Sequence, residues 1–180
     1  YEFLLPHEQT QDEKPIINHV VIKADVRGST DITHQMNERG LNPASYFSLN
    51  FFDPITEILS EYDAHKVFIE GDAIILSIYE REDTPSGWYS VARACGMAIN
   101  MLMIINRYNK KSQEYQLPVL ELGIGICHRA DAPTFLFDRD NRIMISPAIN
   151  LADRLSGCNK KVRGIIRKNV SPFNLFVFQG

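Results

Sequence analysis

Cysteine is scarce in this chain of 180 residues, and its three copies (Cys95, Cys127, Cys158) form no CxxC pair. An odd, scattered set excludes a disulfide framework and a thiolate zinc site, and suits reduced thiols in the cytoplasm. The histidines are equally dispersed. His7, His19, His34, His65 and His128 include no HExxH or similar ligand pair, so no histidine metal site is expected. Charge of either sign is barely in excess: 19 Lys and Arg against 22 Asp and Glu leave a formal net charge of −3. Such a balance gives no broad field for nucleic acid or an acidic membrane, and neither is expected as a partner. A site for a polyanion then needs local positive charge, from bound metal or placed Arg and Lys. Long apolar runs are missing too. The longest, CGMAINMLMII from Cys95, is interrupted by Asn100 and is too short to span a bilayer. The opening YEFLLPHEQTQDEK lacks the basic start and apolar run of a signal peptide, so a cytoplasmic protein is expected. A start on Tyr1 and an apolar end, FNLFVFQG, leave open that the chain is part of a longer protein.

What is present suits one compact domain: 44% of the residues are hydrophobic, enough for a full core. Residues 1–17 read as a polar lead-in and 18–180 as a single domain. HVVIKADV (19–26) sets Val20, Ile22, Ala24 and Val26 against the alternate positions, which predicts a strand with one well-buried face. RGST breaks that strand at Gly28. Pro43 opens a helix with Phe47, Phe51, Ile55, Ile58 and Leu59 at helical spacing, and Pro54 is expected to kink or split it. KVFIEGDAIILSIY (66–79) is two β-rich runs around EGD, a hairpin with Gly71 at the turn. A longer helix is expected over 87–110, apolar at Val91, Ala94, Cys95, Ala98, Met101, Leu102 and Ile105. PVLELGIGICH (118–128) predicts a strand, with a further one in PTFLFD or RIMIS. AINLADRLS (148–156) predicts a short helix, held in the core by Ile149, Ala152 and Leu155. The basic segment CNKKVRGIIRK and a last strand, NLFVF, follow. The order is that of an α+β, ferredoxin-like split βαβ plan, with helices on one face of a mostly antiparallel sheet.

Asp25 falls at the carboxyl end of the first strand and Asp72 in the hairpin turn. In this topology the first strand lies beside the hairpin, so the two carboxylates converge on one edge. Close carboxylates repel and call for a cation, and Mg²⁺ or Mn²⁺ takes oxygen ligands of this kind. Two such ions could clamp the oxygens of an in-line displacement at phosphorus. Val26–Thr30 supplies a turn rich in backbone N–H, with Gly28 allowing close approach to phosphate. The same two aspartates would equally serve to end a strand and fill a turn. Asn150 and Arg154, four apart, share one helix face, and an arginine so placed suits the charge on a transferring phosphoryl group. An ordinary solvated helix pair has the same spacing. Lys160, Lys161 and Arg163 could hold a triphosphate tail or be solvated.

Together these pieces resemble the catalytic domain of class III adenylate/guanylate cyclases. The family's first strand and phosphate loop, hydrophobic–ADIRGFT, is matched by KADVRGST (23–30), and its hairpin, KVxTIGDA, by KVFIEGDA (66–73). Its later strand, LxxGIGI, appears as LELGIGI, and its helix, VNxAxRL, as INLADRL (149–155). The four fall in the family's order and span about 20–160. The resemblance implies that Asp25, Asp72 and the Val26 carbonyl hold two Mg²⁺ or Mn²⁺ ions per site. It implies that Gly28, Ser29 and Thr30 bind the β- and γ-phosphates, that Asn150 orients the ribose, and that Arg154 stabilises pentavalent phosphorus. The implied enzyme is a phosphorus–oxygen lyase: the 3′-hydroxyl of a nucleoside triphosphate attacks the α-phosphorus and pyrophosphate leaves. Cyclases of this class pair head to tail, so a homodimer is implied. One subunit then supplies Asp25 and Asp72, the other Asn150 and Arg154.

Departures from the pattern fall on the base pocket. Adenylate cyclases carry Lys and guanylate cyclases Glu four residues before the second aspartate, where this chain has Phe68. The second base-reading residue, often Asp, is Ile143. Neither can hydrogen-bond a purine edge. IEGD in place of TIGD also leaves Glu70 near the metals, and the family's phosphate lysine has no secure match. The chain thus also resembles the small bacterial antiphage pyrimidine cyclases (the Pycsar type), in which an aromatic such as Tyr46 or Phe68 would narrow the pocket by stacking. The alternatives are an adenylate or guanylate cyclase, or a silent nucleotide-binding or dimerisation module. A diguanylate-cyclase-like domain fits poorly, because EGDAI is a weak match to its hairpin.

Overall fold

A computed structural model describes residues 14–138, 141–157 and 164. Most of the lead-in, the basic segment with Lys160, Lys161 and Arg163, and the expected NLFVF strand lie outside the described residues.

The first strand, β1 (Ile16–Val26), starts two residues inside the expected lead-in. Helix α1 (Ser29–Glu38) follows the Gly28 turn. It is a helix that the apolar pattern does not announce, since only Ile32 and Met36, one turn apart, are buried. The helix expected from Pro43 is divided as Pro54 dictates. It runs as α2 (Pro43–Phe47), a π-helical turn over Ser48–Phe52, and α3 (Asp53–Glu57). Pro54 has no N–H for the Asn50 carbonyl and its ring would crowd that oxygen, so the backbone widens just ahead of it. Asn42 starts the run by accepting from the Ala44 and Ser45 N–H groups. A 3₁₀ turn over Leu59–Tyr62 leads to the hairpin β2 (Ala64–Glu70) and β3 (Ala73–Arg81), with Gly71 at φ 60° in its turn.

Helix α4 (Ser90–Glu114) starts three residues later than expected, ends four later, and turns its stripe slightly. Met97, Met101, Ile104 and Ile105 are buried, whereas Val91 and Cys95 face outward. Strand β4 (Leu122–Arg129) begins later than the apolar run. Pro118 cannot donate to a ladder, and Leu120 is instead held at both backbone atoms by the Asn109 amide, at 2.8 and 2.7 Å. PTFLFD and RIMIS both form strands, a separate hairpin of β5 (Thr134–Asp138) and β6 (Asn141–Ile145). Helix α5 (Pro147–Ser156) closes the described chain, capped by Ser146.

The main sheet has the order β2-β3-β1-β4, with every pairing antiparallel. With its helices it forms the mixed α+β, split βαβ architecture expected. The principal helical layer covers one face, where Val20, Ile22, Ala24 and Val26 pack with Phe51, Ile55, Met97 and Met101. The expectation that the helices lie on one face does not hold for all of them, because the other face is also buried at its centre. Val21, Ile75 and Tyr79 pack there against Met144, Ala148 and Ala152, so α5 and β6 lie across the sheet from α4.

Glycine sets how closely α5 lies on β4. A Cβ at Gly125 would stand 1.9 Å from the Ala152 carbonyl oxygen, and one at Gly123 would stand 2.2 Å from that of Ser156. The buried face of α5 is accordingly the small stripe Ala148, Ala152 and Ser156. Leu155, expected inward, is 42% exposed, and Ile149 is only partly buried. Bulk at the contact would push the helix off the glycines, so the larger residues turn aside.

Candidate active site

Antiparallel register carries the two aspartates to the same end of the sheet. Asp25 stands opposite Ala73, and the Val26 N–H donates to the Asp72 carbonyl at 3.2 Å. Their fields meet. Burial first, then the neighbouring Asp72 charge, pushes the Asp25 carboxyl above its ordinary range, while Lys23 and Arg27 pull it back. Val26 closes β1 with a buried side chain.

Beyond it the chain turns through Gly28 at φ 66°, a left-handed conformation suited to glycine, directly into α1. No side chain caps this helix end. Its first N–H groups are therefore oriented for an anion, with the helix dipole adding to the attraction. A cleft of about 480 Å³ joins this turn to the hairpin turn: Ser29 and Thr30 line one side, Gly71 and Asp72 another, and Phe47 and Phe52 form an apolar wall. Ser29, Thr30 and one of the two carboxylates thus share one cavity. The phenylalanines and Thr33 of its lining carry no motif and were not identifiable as site residues from sequence.

Two rows of residues cross the sheet beside this edge, on the face that α5 covers. Phe68 and Lys23 both stand opposite Ile75, and Glu70 and Asp25 both stand opposite Ala73. Phe68 is 41% exposed, just past an irregularity in the β2 ladder at Val67 that re-aims the strand. It is the open aromatic of the expected base pocket. Ile143 lies on β6 and is also exposed. Tyr46 is placed differently from expectation. It is buried in the main core, and its hydroxyl donates to the Pro118 carbonyl, with Ser112 Oγ also within 3.2 Å. Its ring is occupied by packing and is not open to a ligand.

Asn150 and Arg154 share a face of α5 as expected, and both are exposed. The helix that presents them is tied to β1 by polar contacts that no local pattern announces. Lys23, nearly buried, donates to Asp153 at 2.5 Å and to Glu70 at 3.2 Å. Burial works against its ammonium, but these two carboxylates outweigh burial and leave its pKa above the ordinary lysine value. Arg27 donates to the Ser156 carbonyl at 3.1 Å, a cation at the negative end of a helix.

A cation would be held here by two carboxylates and a backbone carbonyl, a hard oxygen set that suits Mg²⁺ or Mn²⁺ better than a soft ion. Among the described residues no group of three or more His, Cys, Asp or Glu side chains converges, so other ligands would come from substrate phosphates and water. Also among the described residues, no helix is long and apolar enough to cross a membrane.

No family model matches the sequence, and no curated protein matches it. Solved structures do match in fold. The adenylyl cyclase CyaB from P. aeruginosa is similar with a TM-score of 0.65 and 19% identity, over 81% of this chain and 74% of that one. The guanylyl cyclase Cya2 gives 0.62 and 18%, over 80% and 71%. A dimeric guanylyl cyclase domain of the RhoGC fusion protein from the aquatic fungus Blastocladiella emersonii gives 0.60 and 16%, over 79% and 74%. At these identities the likeness is one of fold: the chain has the architecture of adenylyl and guanylyl cyclase domains.

Proposed function

We propose that the protein is a nucleotide cyclase, converting a nucleoside triphosphate to a 3′,5′-cyclic nucleotide and pyrophosphate at sites shared between two copies of the chain. The observation that carries this reading is the cleft in which the N-terminal turn of α1 meets Gly71 and Asp72, beside an Asp25 whose charge is already opposed by that of Asp72. A triphosphate placed there would meet the N–H groups of Gly28, Ser29 and Thr30 with its β- and γ-phosphates. Asp25, Asp72 and the Val26 carbonyl would hold two Mg²⁺ or Mn²⁺ ions. When bound, these would supply Lewis-acid polarisation of the attacking and leaving oxygens. Asn150 would orient the ribose. Arg154 would offset the charge that builds on the α-phosphorus as the 3′-oxygen bond forms and the bond to pyrophosphate breaks. The hydroxyl proton passes to solvent.

The shared site is supported by the exposure of Asn150 and Arg154 together with that of Leu151 and Leu155 on the same helix and of Ile143 and Ile145 on β6. A second copy seated on this face would cover the apolar residues and bring the arginine to the partner's cleft.

Phe68 and Ile143 favour a pyrimidine substrate, UTP or CTP. Both present apolar surface where a purine edge would need a hydrogen-bonding partner, and Phe68 offers a face for a small ring to stack on. Such a product would suit the antiphage pyrimidine cyclases that the sequence resembles. The test is to incubate the purified dimer with ATP, GTP, CTP or UTP and Mn²⁺ and identify the product. Cyclic UMP or CMP is expected. A purine product would overturn the pyrimidine reading alone, and no product from any of the four would leave a silent nucleotide-binding module.

A further inference from the structure

We infer that Lys23 is a positioning residue for the arginine half of the site: it fixes the roll of α5, and with it Arg154 and Asn150, against the strand that ends in Asp25. This rests on the shared-site reading above.

Three ties run from β1 and the turn after it to α5, at every fourth residue. His19 Nε2 lies 2.7 Å from Ser146 Oγ at the start of the helix. Lys23 meets Asp153 in its middle, and Arg27 meets the Ser156 carbonyl at its end. The His19 tie is directional. Its Nδ1 lies 2.6 Å from the Asp131 carbonyl, which can only accept, so Nδ1 carries the proton. The neutral ring then accepts from Ser146, whose oxygen in turn accepts from the Ala148 N–H.

Packing offers few large α5 side chains to fix the roll of the helix. Its inner face is Ala148, Ala152 and Ser156, and β4 opposes it with Gly123 and Gly125. Small residues on bare backbone set the distance between helix and strand, and the one larger α5 side chain packed on this face is the partly buried Ile149, so the polar ties carry much of the helix's orientation about its axis. The end ties act on the cap and on a backbone carbonyl close to the axis. Lys23 alone grips a side chain in the turn that carries Arg154, and its second bond to Glu70 anchors that grip on β2. A roll of about 10° would carry an arginine tip roughly 1 Å, a displacement that can cost about 10²-fold in rate.

The shared geometry allows a test in which Lys23 is altered for one half-site at a time. In a mixed dimer of Asp72→Asn with Arg154→Ala, one working site remains. The Asp72→Asn chain gives it Asn150 and Arg154, and the Arg154→Ala chain gives it Asp25 and Asp72. Lys23→Met on the arginine-giving chain is expected to lower kcat about 10²-fold, and on the carboxylate-giving chain at least about ten-fold less. Asp153→Ala, which removes the acceptor on the exposed side of the same tie, is expected to repeat the asymmetry and stands in if Lys23→Met fails to fold. Hydrogen exchange on the Lys23→Met homodimer supplies a readout without turnover: α5 amides exchange faster while β1 and β3 stay protected. Equal losses on either chain, no loss on either, or unchanged α5 exchange would overturn the inference. A parental pair that forms heterodimers but stays silent would instead overturn the shared-site reading, and the catalytic part of the inference with it.

Discussion

The Val26 N–H donates to the Asp72 carbonyl at 3.2 Å, and through this bond the end of β1 and the hairpin turn hold their carboxylates at one edge of the sheet. The proximity is legible in Asp25, whose carboxyl is raised by burial and by the charge of Asp72.

A carboxyl raised in this way favours the fold when it is protonated. Its contribution is full below the carboxylate range of the unfolded chain and is lost as the pH rises through the higher folded value. Asp25→Asn, neutral throughout, is therefore expected to melt a few degrees above wild type near neutral pH. The gap should narrow as the pH falls towards about 4. Thermal melts across that range check it, and a gap that is constant or wider in acid contradicts it.

The same repulsion makes a divalent cation stabilising. Mn²⁺ at about 100 times its dissociation constant is worth roughly 2.7 kcal/mol, about 5–10 °C for a domain of this size. Wild type is expected to gain that much in a melt and Asp25→Asn most of it less. Equal shifts in the two proteins would place the ion elsewhere.

How α5 lies on β4 gives a prediction about stability alone. Gly125→Ala puts a methyl 1.9 Å from a backbone oxygen, and neither β4 nor α5 can yield without losing its other contacts. A loss of about 3 kcal/mol or more in urea unfolding is expected, at the upper end of what overpacking costs. A loss below about 1 kcal/mol would show that the helix rides on the strand more loosely than described.

Phe68 should matter to substrate and little to folding, because much of its ring is exposed on an edge strand. Phe68→Ala is expected to raise KM for the preferred triphosphate about ten-fold or more, the worth of one base–aromatic stack, with a melting change within a degree or so. An unchanged KM would remove Phe68 from the base pocket.

Much of this was legible in the sequence because it is local. Alternation marked β1, the EGD turn marked the hairpin, and Pro54 marked the break that the π turn absorbs. The positions of Asp25, Asp72, Ser29 and Thr30 in the fold are legible because a strand end, a tight turn and a helix start each have their own residue signature. What escaped is non-local. Helix α1 is polar and owes its place to two buried residues, Ile32 and Met36. The ties from His19, Lys23 and Arg27 to α5 join residues more than 120 positions apart. Tyr46 looked available to a ligand because an aromatic at a helix start carries no mark of the core that closes over it. Leu155 looked buried because hydrophobicity alone does not reveal that the facing strand is glycine.

Cyclisation at the Asp25–Asp72 edge is checked by product analysis of wild type beside Asp72→Asn. With Mn²⁺ and the preferred triphosphate, wild type is predicted to release cyclic nucleotide and pyrophosphate in equal amounts. Asp72→Asn, folded and dimeric, is predicted to lose at least about 10²-fold of that rate. Equal turnover by the two proteins, or pyrophosphate released without a cyclic product, would contradict it.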